Sequence, residues 1–329
     1  MSDGIRFPVT DIQRFTTRDG PGIRSTVFMK GCNLRCRWCH NPEAMGQKRE
    51  LSFHIRKCVG CGACAAVCAR GRFPEGHGAF VFDEDCVNCG KCAKVCPAGA
   101  IGEVSREMTL EEIVKTLLRD KSFYRQGGGV TVSGGEPLLQ KELPKLLQAL
   151  RQQGIHTAVD TAFCVSWERI EKAMPHTSLF LTDIKAINSE LHRQLTGVGN
   201  ELILQNIRAL AKSGHPFWIR VPVIPGLNSG ELGAIAEFVR ILLDDLNCGD
   251  RVQCNYGEVC LTKTALVDLL VDSAAFQCLA DCLLVSIYTH DMMEGIGLQR
   301  LAYRASDKTK TDNCYVHFSF VLSINNSVL

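Results

Sequence analysis

Between residues 20 and 250 the chain alternates between two periods of apolar and polar residues. Short runs dominated by β-branched and apolar residues predict strands at IRSTVFMK (23–30), GGVTVSGGEP (128–137), HTAVDT (156–161), SLFLTDIK (178–185) and FWIRVPVI (217–224). Apolar residues three and four apart predict helices at TLEEIVKTLLRD (109–120), KELPKLLQALRQQG (141–154), SWERIEKAM (166–174), NELILQNIRALAKSG (200–214) and GELGAIAEFVRILLDDL (230–246). Thr109 and Glu112 form a capping-box pair, and Gly154 is suited to a helix C-terminus. This alternation specifies an α/β fold with a parallel sheet and right-handed crossovers. With a sixth strand expected at DRVQCNY (250–256), it predicts an incomplete (β/α)6 TIM-like barrel, a flat doubly wound sheet being the alternative. Either architecture gathers ligands beyond the C-terminal strand ends, where the loop GCNLRCRWCHNPE (31–43), SGGEP (133–137), DT (160–161) and DIK (183–185) fall.

Residues 58–96 break the alternation, being rich in cysteine and glycine, internally duplicated and poor in helical periodicity. They divide the chain into a discontinuous barrel (1–49 and 106–246), an insert (50–105) and a divergent C-terminal segment (247–329).

An apolar content of 46%, a charged content of 22% and a net charge of +2 give no sign of a nucleic-acid or polyanionic partner. The first residues lack the apolar core of a secretory signal, and no charge-free apolar run is long enough for a spanning helix, so no membrane partner and a cytoplasmic location are expected. The 18 cysteines change the picture: eleven fall between residues 32 and 96, mostly at two- and three-residue gaps. In a chain of this kind such crowding signals metal ligation in a reducing compartment rather than disulfides.

CVGCGACAAVCA (58–69) and CVNCGKCAKVCP (86–97) share the spacing C-x2-C-x2-C-x3-C, the bacterial two-cluster ferredoxin run in which each fourth cysteine serves the other cluster. One four-iron, four-sulfur (4Fe-4S) cluster would use Cys58, Cys61, Cys64 and Cys96, and the other Cys86, Cys89, Cys92 and Cys68. Two zinc knuckles are the alternative. Cys32, Cys36 and Cys39 form a third, incomplete set, C-x3-C-x2-C, whose open position suits a substrate or cofactor. A structural zinc site completed by His40 or a distant cysteine is the competing reading.

The triad, with Trp38 as the aromatic before its last cysteine, resembles the signature of radical S-adenosylmethionine (SAM) enzymes. The longer stretch DIQRFTTRDGPGIRSTVFMKGCNLRCRWCHNPE (11–43) resembles the activating enzymes of glycyl radical enzymes, in the subgroup carrying a two-cluster insert. The resemblance spans roughly residues 5–245. It implies three 4Fe-4S clusters and SAM as cofactors, with the SAM amine and carboxylate on the open iron. Reductive cleavage would release methionine and a 5′-deoxyadenosyl radical that takes a Cα hydrogen from a glycine of a partner enzyme. Flavodoxin or ferredoxin would be the electron donor and a glycyl radical enzyme the protein substrate, choline trimethylamine-lyase being the first choice.

Carried residue by residue, the resemblance makes Gly134, Gly135 and Glu136 of SGGEP the cradle of the methionyl amine. Lys185 pairs with the SAM carboxylate, Asp183 lies at the catalytic centre, Asp160 lies near the radical-transfer site, and Arg220 is a family arginine on the fifth strand. Trp38 lies beside the cofactor, and RDGPGIR (18–24) matches a family signature with a positioning role. The family's PYHxxG-like segment after the sixth strand is missing: RVQCNYGEVCLTK stands in its place, and His290 and His317 have unsuitable contexts. The far end is therefore either unrelated sequence, as from a shifted reading frame, or an adaptation. Cys164, Cys248, Cys254, Cys260, Cys278, Cys282 and Cys314 lack cluster spacing and are expected to be non-ligands. Two other functions fit parts of the pattern: a radical SAM maturase of another peptide or protein, and an electron-transfer protein that does not cleave SAM.

Overall fold

The computed structural model describes residues 4–68, 86–125, 127–245, 251–254, 260–262 and 318–324. They form two compact units.

The first unit comprises Met1–Leu34, Cys39–Thr161 and Trp167–Ser178. Its elements are β1 (Arg6–Thr16), β2 (Arg24–Met29), β3 (Leu51–Phe53), α1 (Ala63–Val67), α2 (Lys91–Val95), β4 (Ile101–Glu103), β5 (Arg106–Thr109), α3 (Leu110–Leu118), β6 (Gly129–Gly134), α4 (Leu143–Gln152), β7 (His156–Thr161) and α5 (Trp167–Ala173). β2, β6 and β7 pair in parallel, β1 runs antiparallel beside β2, and β5 antiparallel beside β1. The predicted capping box is present: Thr109 N–H donates to Glu112 Oε2 at 2.7 Å, and Glu112 N–H to Thr109 Oγ1 at 3.2 Å. α4 buries Leu143, Leu146, Leu147 and Leu150, the stripe its spacing required.

Strand β1 was not expected from the sequence. Its ladder to β2 slips between Val9 and Asp11 and again between Gln13 and Thr16, which erases the two-residue period.

The second unit comprises Arg35–Trp38, Ala162–Ser166 and Leu179–Leu329. It holds β8 (Leu179–Asp183), α6 (Ser189–Thr196), α7 (Glu201–Ser213), β9 (Phe217–Val223), α8 (Leu232–Asp245), β10 (Arg251–Cys254), β11 (Cys260–Thr262) and β12 (Phe318–Ile324). β8 and β9 are parallel, over a core that includes Phe180, Phe217, Ile207, Leu210 and Ile235. The expected sixth strand corrects the sequence reading in one respect. Residues 251–254 are extended, but β9 takes β12 as its neighbour, antiparallel and in register along Phe217–Val223, and β10 pairs antiparallel with β12. The seven-residue alternating run FSFVLSI satisfies the whole edge of β9, which a four-residue strand could not. Cys248, Cys278, Cys282, Cys314, His290 and His317 lie outside the described residues, as do residues 69–85 of the expected insert.

Within residues 50–105, β3 and β4 form a separate antiparallel pair, and α1 touches α2. The duplicated sequence has a duplicated backbone. Gly60 and Asn88 have φ of 68° and 51°, and Gly62 and Gly90, which open the two short helices, 70° and 74°. Leu51, Cys92 and Ile101 make a small core, packed against Phe53, Cys64, Ala93 and Cys96.

Candidate active site

In the first unit the chemistry gathers where β2 and β6 end. The two strands run in register from Arg24 opposite Gly129 to Met29 opposite Gly134, so GCNLRCRWCHNPE and SGGEP leave the same edge. Gly31 N–H donates to Ala44 O at 2.7 Å and Cys32 N–H to Met45 O at 3.1 Å, folding the cysteine loop back on itself. Leu34 N–H points at Cys32 Sγ, 3.4 Å away. Lys30 is buried beneath the loop, its Nζ donating to Glu43 O and to Glu50 Oε2, both at 2.7 Å.

SGGEP crosses directly over this loop. Gly135 N–H donates to Met29 O and Glu136 N–H to Gly31 O, each at 2.8 Å. Gly134 adopts φ 106°, which other residues rarely accept. Gly135 is needed for space: a Cβ there would lie 2.6 Å from Gly31 C, closer still to its oxygen, and 2.9 Å from Ala44 O. Glu136 is fully buried, and its Oε1 accepts from Leu138 N–H at 3.1 Å and from the Thr161 hydroxyl at 2.8 Å. Ser133 donates its hydroxyl to Asp160 Oδ2 at 2.9 Å. Gly134, Gly135, Glu136 and Asp160 thus lie in one hydrogen-bonded group, to which the sequence reading had not assigned Ser133 or Thr161.

The glycine turn of RDGPGIR lies at the opposite ends of the same strands. Arg24 is fully buried there. Its guanidinium donates to Thr131 Oγ1 at 2.7 Å, Pro21 O at 3.1 Å, Gly127 O at 3.2 Å and Val130 O at 2.7 Å. Burial, only partly offset by Asp19, pushes its pKa down to about 10. His156 at the start of β7 is held neutral, burial and Arg24 lowering its pKa to about 4. Thr17, Gly22, Ile23, Ser122, Phe123 and Arg125 line an open cleft of about 770 Å³ beside this turn.

In the second unit Asp183 ends β8 directly opposite Arg220 of β9. Its Oδ1 accepts from Arg220 Nε and its Oδ2 from Lys185 Nζ, both at 2.8 Å. Burial works to raise the Asp183 pKa, but Arg220 and then Lys185 outweigh it and hold the carboxyl far below its ordinary range. Lys185 is likewise raised, since Asp183 and Cys36 outweigh the burial that would lower it. Burial pushes the Cys36 thiol up, with Lys185 pulling it the other way. Cys36, Asp183, Lys185 and Arg220 therefore share one electrostatic neighbourhood. Trp38 is half-buried on the segment whose Arg35 and Arg37 N–H groups donate to Thr196 O and Leu195 O at 2.7 and 3.0 Å.

Three asparagines missed by sequence reasoning hold the loops of this unit. Asn228 Nδ2 donates to Lys185 O at 2.8 Å and Pro222 O at 2.7 Å, while its Oδ1 accepts from Ile224 N–H at 2.7 Å. Asn200 clamps Ala186 O and Ile187 O, each at 2.8 Å, and Asn206 clamps Phe163 O at 2.9 Å and Val165 O at 2.8 Å. Asn206 left one trace in the sequence, as a polar residue on the apolar stripe of α7.

Within each insert run the first three cysteines lie within electrostatic reach of one another. Burial raises the Cys64 thiol, and the nearby Cys61 and Cys58 add to it; Cys92 is raised in the same way, beside Cys89 and Cys86. Cys96 is lowered by backbone N–H groups, first from Ile101, and its Sγ accepts from Ala100 N–H at 3.2 Å. Among the described residues no three His, Cys, Asp or Glu side chains converge as a single ion requires. Cys32, Cys36, Cys39, the eight insert cysteines and Cys164 form no disulfide.

Residues 84–239 match the radical SAM superfamily and residues 57–100 a 4Fe-4S dicluster domain. The chain is 39% identical over 241 residues to the (2S)-3-sulfopropanediol dehydratase activating enzyme of Klebsiella oxytoca, covering 70% of this chain and 76% of that one. It is 41% identical over 248 residues to the choline trimethylamine-lyase activating enzyme of Oleidesulfovibrio alaskensis, covering 73% and 80%. The benzylsuccinate synthase activating enzyme of Thauera aromatica is 41% identical over 242 residues, covering 70% and 73%. No helix among the described residues is long and apolar enough to cross a membrane.

Proposed function

The chain belongs to the glycyl radical enzyme activating enzymes of the radical SAM superfamily, and on that premise we propose which of its residues carry the reaction and for what kind of partner. Cys32, Cys36 and Cys39 hold the cluster that binds SAM, and each insert run holds a further one, making three 4Fe-4S clusters in all. Reduced and loaded with SAM, that centre supplies the chemistry: SAM is cleaved to methionine and 5′-deoxyadenosine as a Cα hydrogen is removed from one glycine of a partner enzyme. The observation that supports the reading is the crossing of SGGEP over the start of the cysteine loop, at Gly31 and Ala44.

The protein's own contribution is binding and orientation. Gly134 and Gly135 let the backbone lie against the loop, and the buried Glu136 carboxylate attracts the methionyl amine. Lys185, already cationic and held by Asp183, offers its charge to the SAM carboxylate, and Arg220 keeps Asp183 ionised. Asp160 is oriented by Ser133, and Trp38 would lie beside the cofactor. We further propose that the barrel part, residues 1–49 and 106–246, is an incomplete TIM-like barrel, that residues 50–105 are a ferredoxin-like insert, and that residues 247–329 are a divergent C-terminal segment. The strand–helix alternation and the duplicated backbone of the insert support that division.

The protein substrate is a glycyl radical enzyme, with choline trimethylamine-lyase as the first to be tried, and flavodoxin or ferredoxin is the electron donor. The test is electron paramagnetic resonance on anaerobically reconstituted protein with SAM, a reductant and candidate glycyl radical enzymes. A glycyl doublet with stoichiometric 5′-deoxyadenosine is expected. Cluster reduction without SAM cleavage would make the chain an electron carrier, and SAM cleavage that modifies another protein without a glycyl radical would make it a maturase.

A further inference from the structure

The two cysteine runs are alike in sequence and backbone, yet the fold gives them unlike positions. The chain passes into the insert at residues 46–51 and returns at 103–106, and these two segments are tied into a stem. Val104 N–H donates to Glu50 O at 2.9 Å, Arg49 pairs with Glu103, and Lys30 holds Glu50 at 2.7 Å. The second run meets this stem. Arg49 Nη1 donates to Cys89 O at 3.1 Å, and its guanidinium fills the space where a side chain on Gly90 would lie. The first run lies at the far end. β3 leads away from the stem to His54, whose N–H donates to Ala100 O at 2.7 Å, and the single turn Ile55–Lys57 then delivers Cys58. Cys96, the fourth thiolate of the first set, is at this end too, bonded by Ala100 N–H.

The carboxylates divide the same way, although the second run also exposes Lys91 and Lys94, with Val87 63% exposed and Cys89 at the surface. Among the described residues of the insert the carboxylates are Glu50 and Glu103, both at the stem and both ion-paired. The far end carries His54, Arg56 and Lys57, all exposed, with the apolar side chains of Ile55 and Val59 standing 65% and 69% exposed among them and Cys61 at the surface.

We propose that this far end, Ile55, Arg56, Lys57 and Val59 around Cys61, is the docking surface for an acidic one-electron donor protein. Electrons enter at Cys58, Cys61, Cys64 and Cys96, pass to Cys86, Cys89, Cys92 and Cys68, and reach the triad last. The inference rests on the proposal that the insert binds two clusters. The cations steer the donor and set its orientation, while Ile55 and Val59 provide the dry centre of a small interface. One electron leaves the donor's reduced flavin or iron–sulfur group and one would be gained by the cluster that the first thiolate set holds. The donor ends one electron more oxidised, and no bond forms or breaks.

The experiment uses reconstituted full-length protein and an acidic flavodoxin as the probe. It compares Arg56→Glu/Lys57→Glu with Lys91→Glu, a reversal at the stem end. At low salt the double variant is expected to raise the flavodoxin Kd by about tenfold or more and to slow cluster reduction in parallel. The difference should shrink near 0.5 M salt as screening shortens to a few ångström, while Lys91→Glu leaves Kd unchanged. Equal weakening by Lys91→Glu, or a double variant that binds like the parent at low salt, overturns the surface. Dithionite-driven SAM cleavage and glycyl radical formation are read on the same samples. Their absence in the parent counts against the proposed function and leaves the docking result to stand by itself.

Discussion

Gly135→Ala tests whether the crossing of SGGEP over the cysteine loop is as tight as its geometry requires. The added methyl would meet the Gly31 carbonyl and lie 2.9 Å from Ala44 O, both backbone atoms with no rotamer to change. Relief requires the two strand ends to part, which strains or breaks Gly135 N–H to Met29 O, Glu136 N–H to Gly31 O and Gly31 N–H to Ala44 O. Two such bonds at about 1 kcal/mol each, with about 1–3 kcal/mol for overpacking, give a loss of roughly 3–5 kcal/mol. In a domain of this size that lowers Tm by about 10 °C. Differential scanning calorimetry under anaerobic conditions reads the change, and 5′-deoxyadenosine release reads the site. Gly154→Ala is the control: Gly154 has a positive φ, 69°, as Gly135 does not, but no atom lies within 4 Å of its Cβ position, so only about 1–2 kcal/mol is expected and SAM cleavage should persist. A Gly135→Ala protein within about 2 °C of the parent, with full SAM cleavage, would refute the close-approach argument.

His156, with its pKa lowered from 6.5 to about 4 by burial and by Arg24, binds fewer protons folded than unfolded between those values. Folding stability should therefore rise with pH across that window, by up to about 3 kcal/mol, and His156→Gln should flatten the rise in Tm measured from pH 4.5 to 7. The Lys30–Glu50 pair is asymmetric, Lys30 being buried and Glu50 half-exposed. Glu50→Gln strands a buried ammonium and should cost roughly 2–4 kcal/mol, whereas Lys30→Met should be the milder change; denaturant midpoints in the opposite order would contradict this account. Asn228→Ala removes three buried hydrogen bonds and leaves their partners unmatched, a loss of about 2–4 kcal/mol. Because one of them is to Lys185 O, the KM for SAM should rise as well, and an unchanged KM would show that Lys185 is held by Asp183 alone.

The elements legible in the sequence were those whose burial follows a clean period. β2, β6, β7, β8 and β9 are buried along nearly their whole length, and α3, α4 and α7 each carry an apolar stripe. β1 was hidden by its two register slips, and α6 by having only eight residues, with its start marked by Asn188. The C-terminal edge was misread because pairing there is decided by a strand nearly 100 residues distant from β9, at 318–324, which no local pattern connects to it. The candidate site divides along the same line. Cysteines, glycines and ion-pair residues stand in short contiguous motifs, so their types and spacing could be read directly. Asn200, Asn206, Asn228 and Thr161 reach partners 13 to 43 residues away, backbone carbonyls for the asparagines and the Glu136 carboxylate for Thr161, whose nearness only the fold creates.

The meeting of Glu50 and Val104 in one hydrogen bond bears on how such a chain could have been assembled. A long excursion between β2 and β5 would ordinarily carry a closure entropy that grows with its length. Here the β3–β4 ladder closes the excursion from within, so the rest of the first unit experiences it as a hairpin whose ends already touch. A piece of gene encoding residues 50–105 could therefore be gained, lost or exchanged as a cassette without re-registering the strands on either side. Shortening the chain from Glu50 directly into a two-residue turn before Arg106 keeps the partner of Lys30 and should leave β1, β2 and β5 paired as they are.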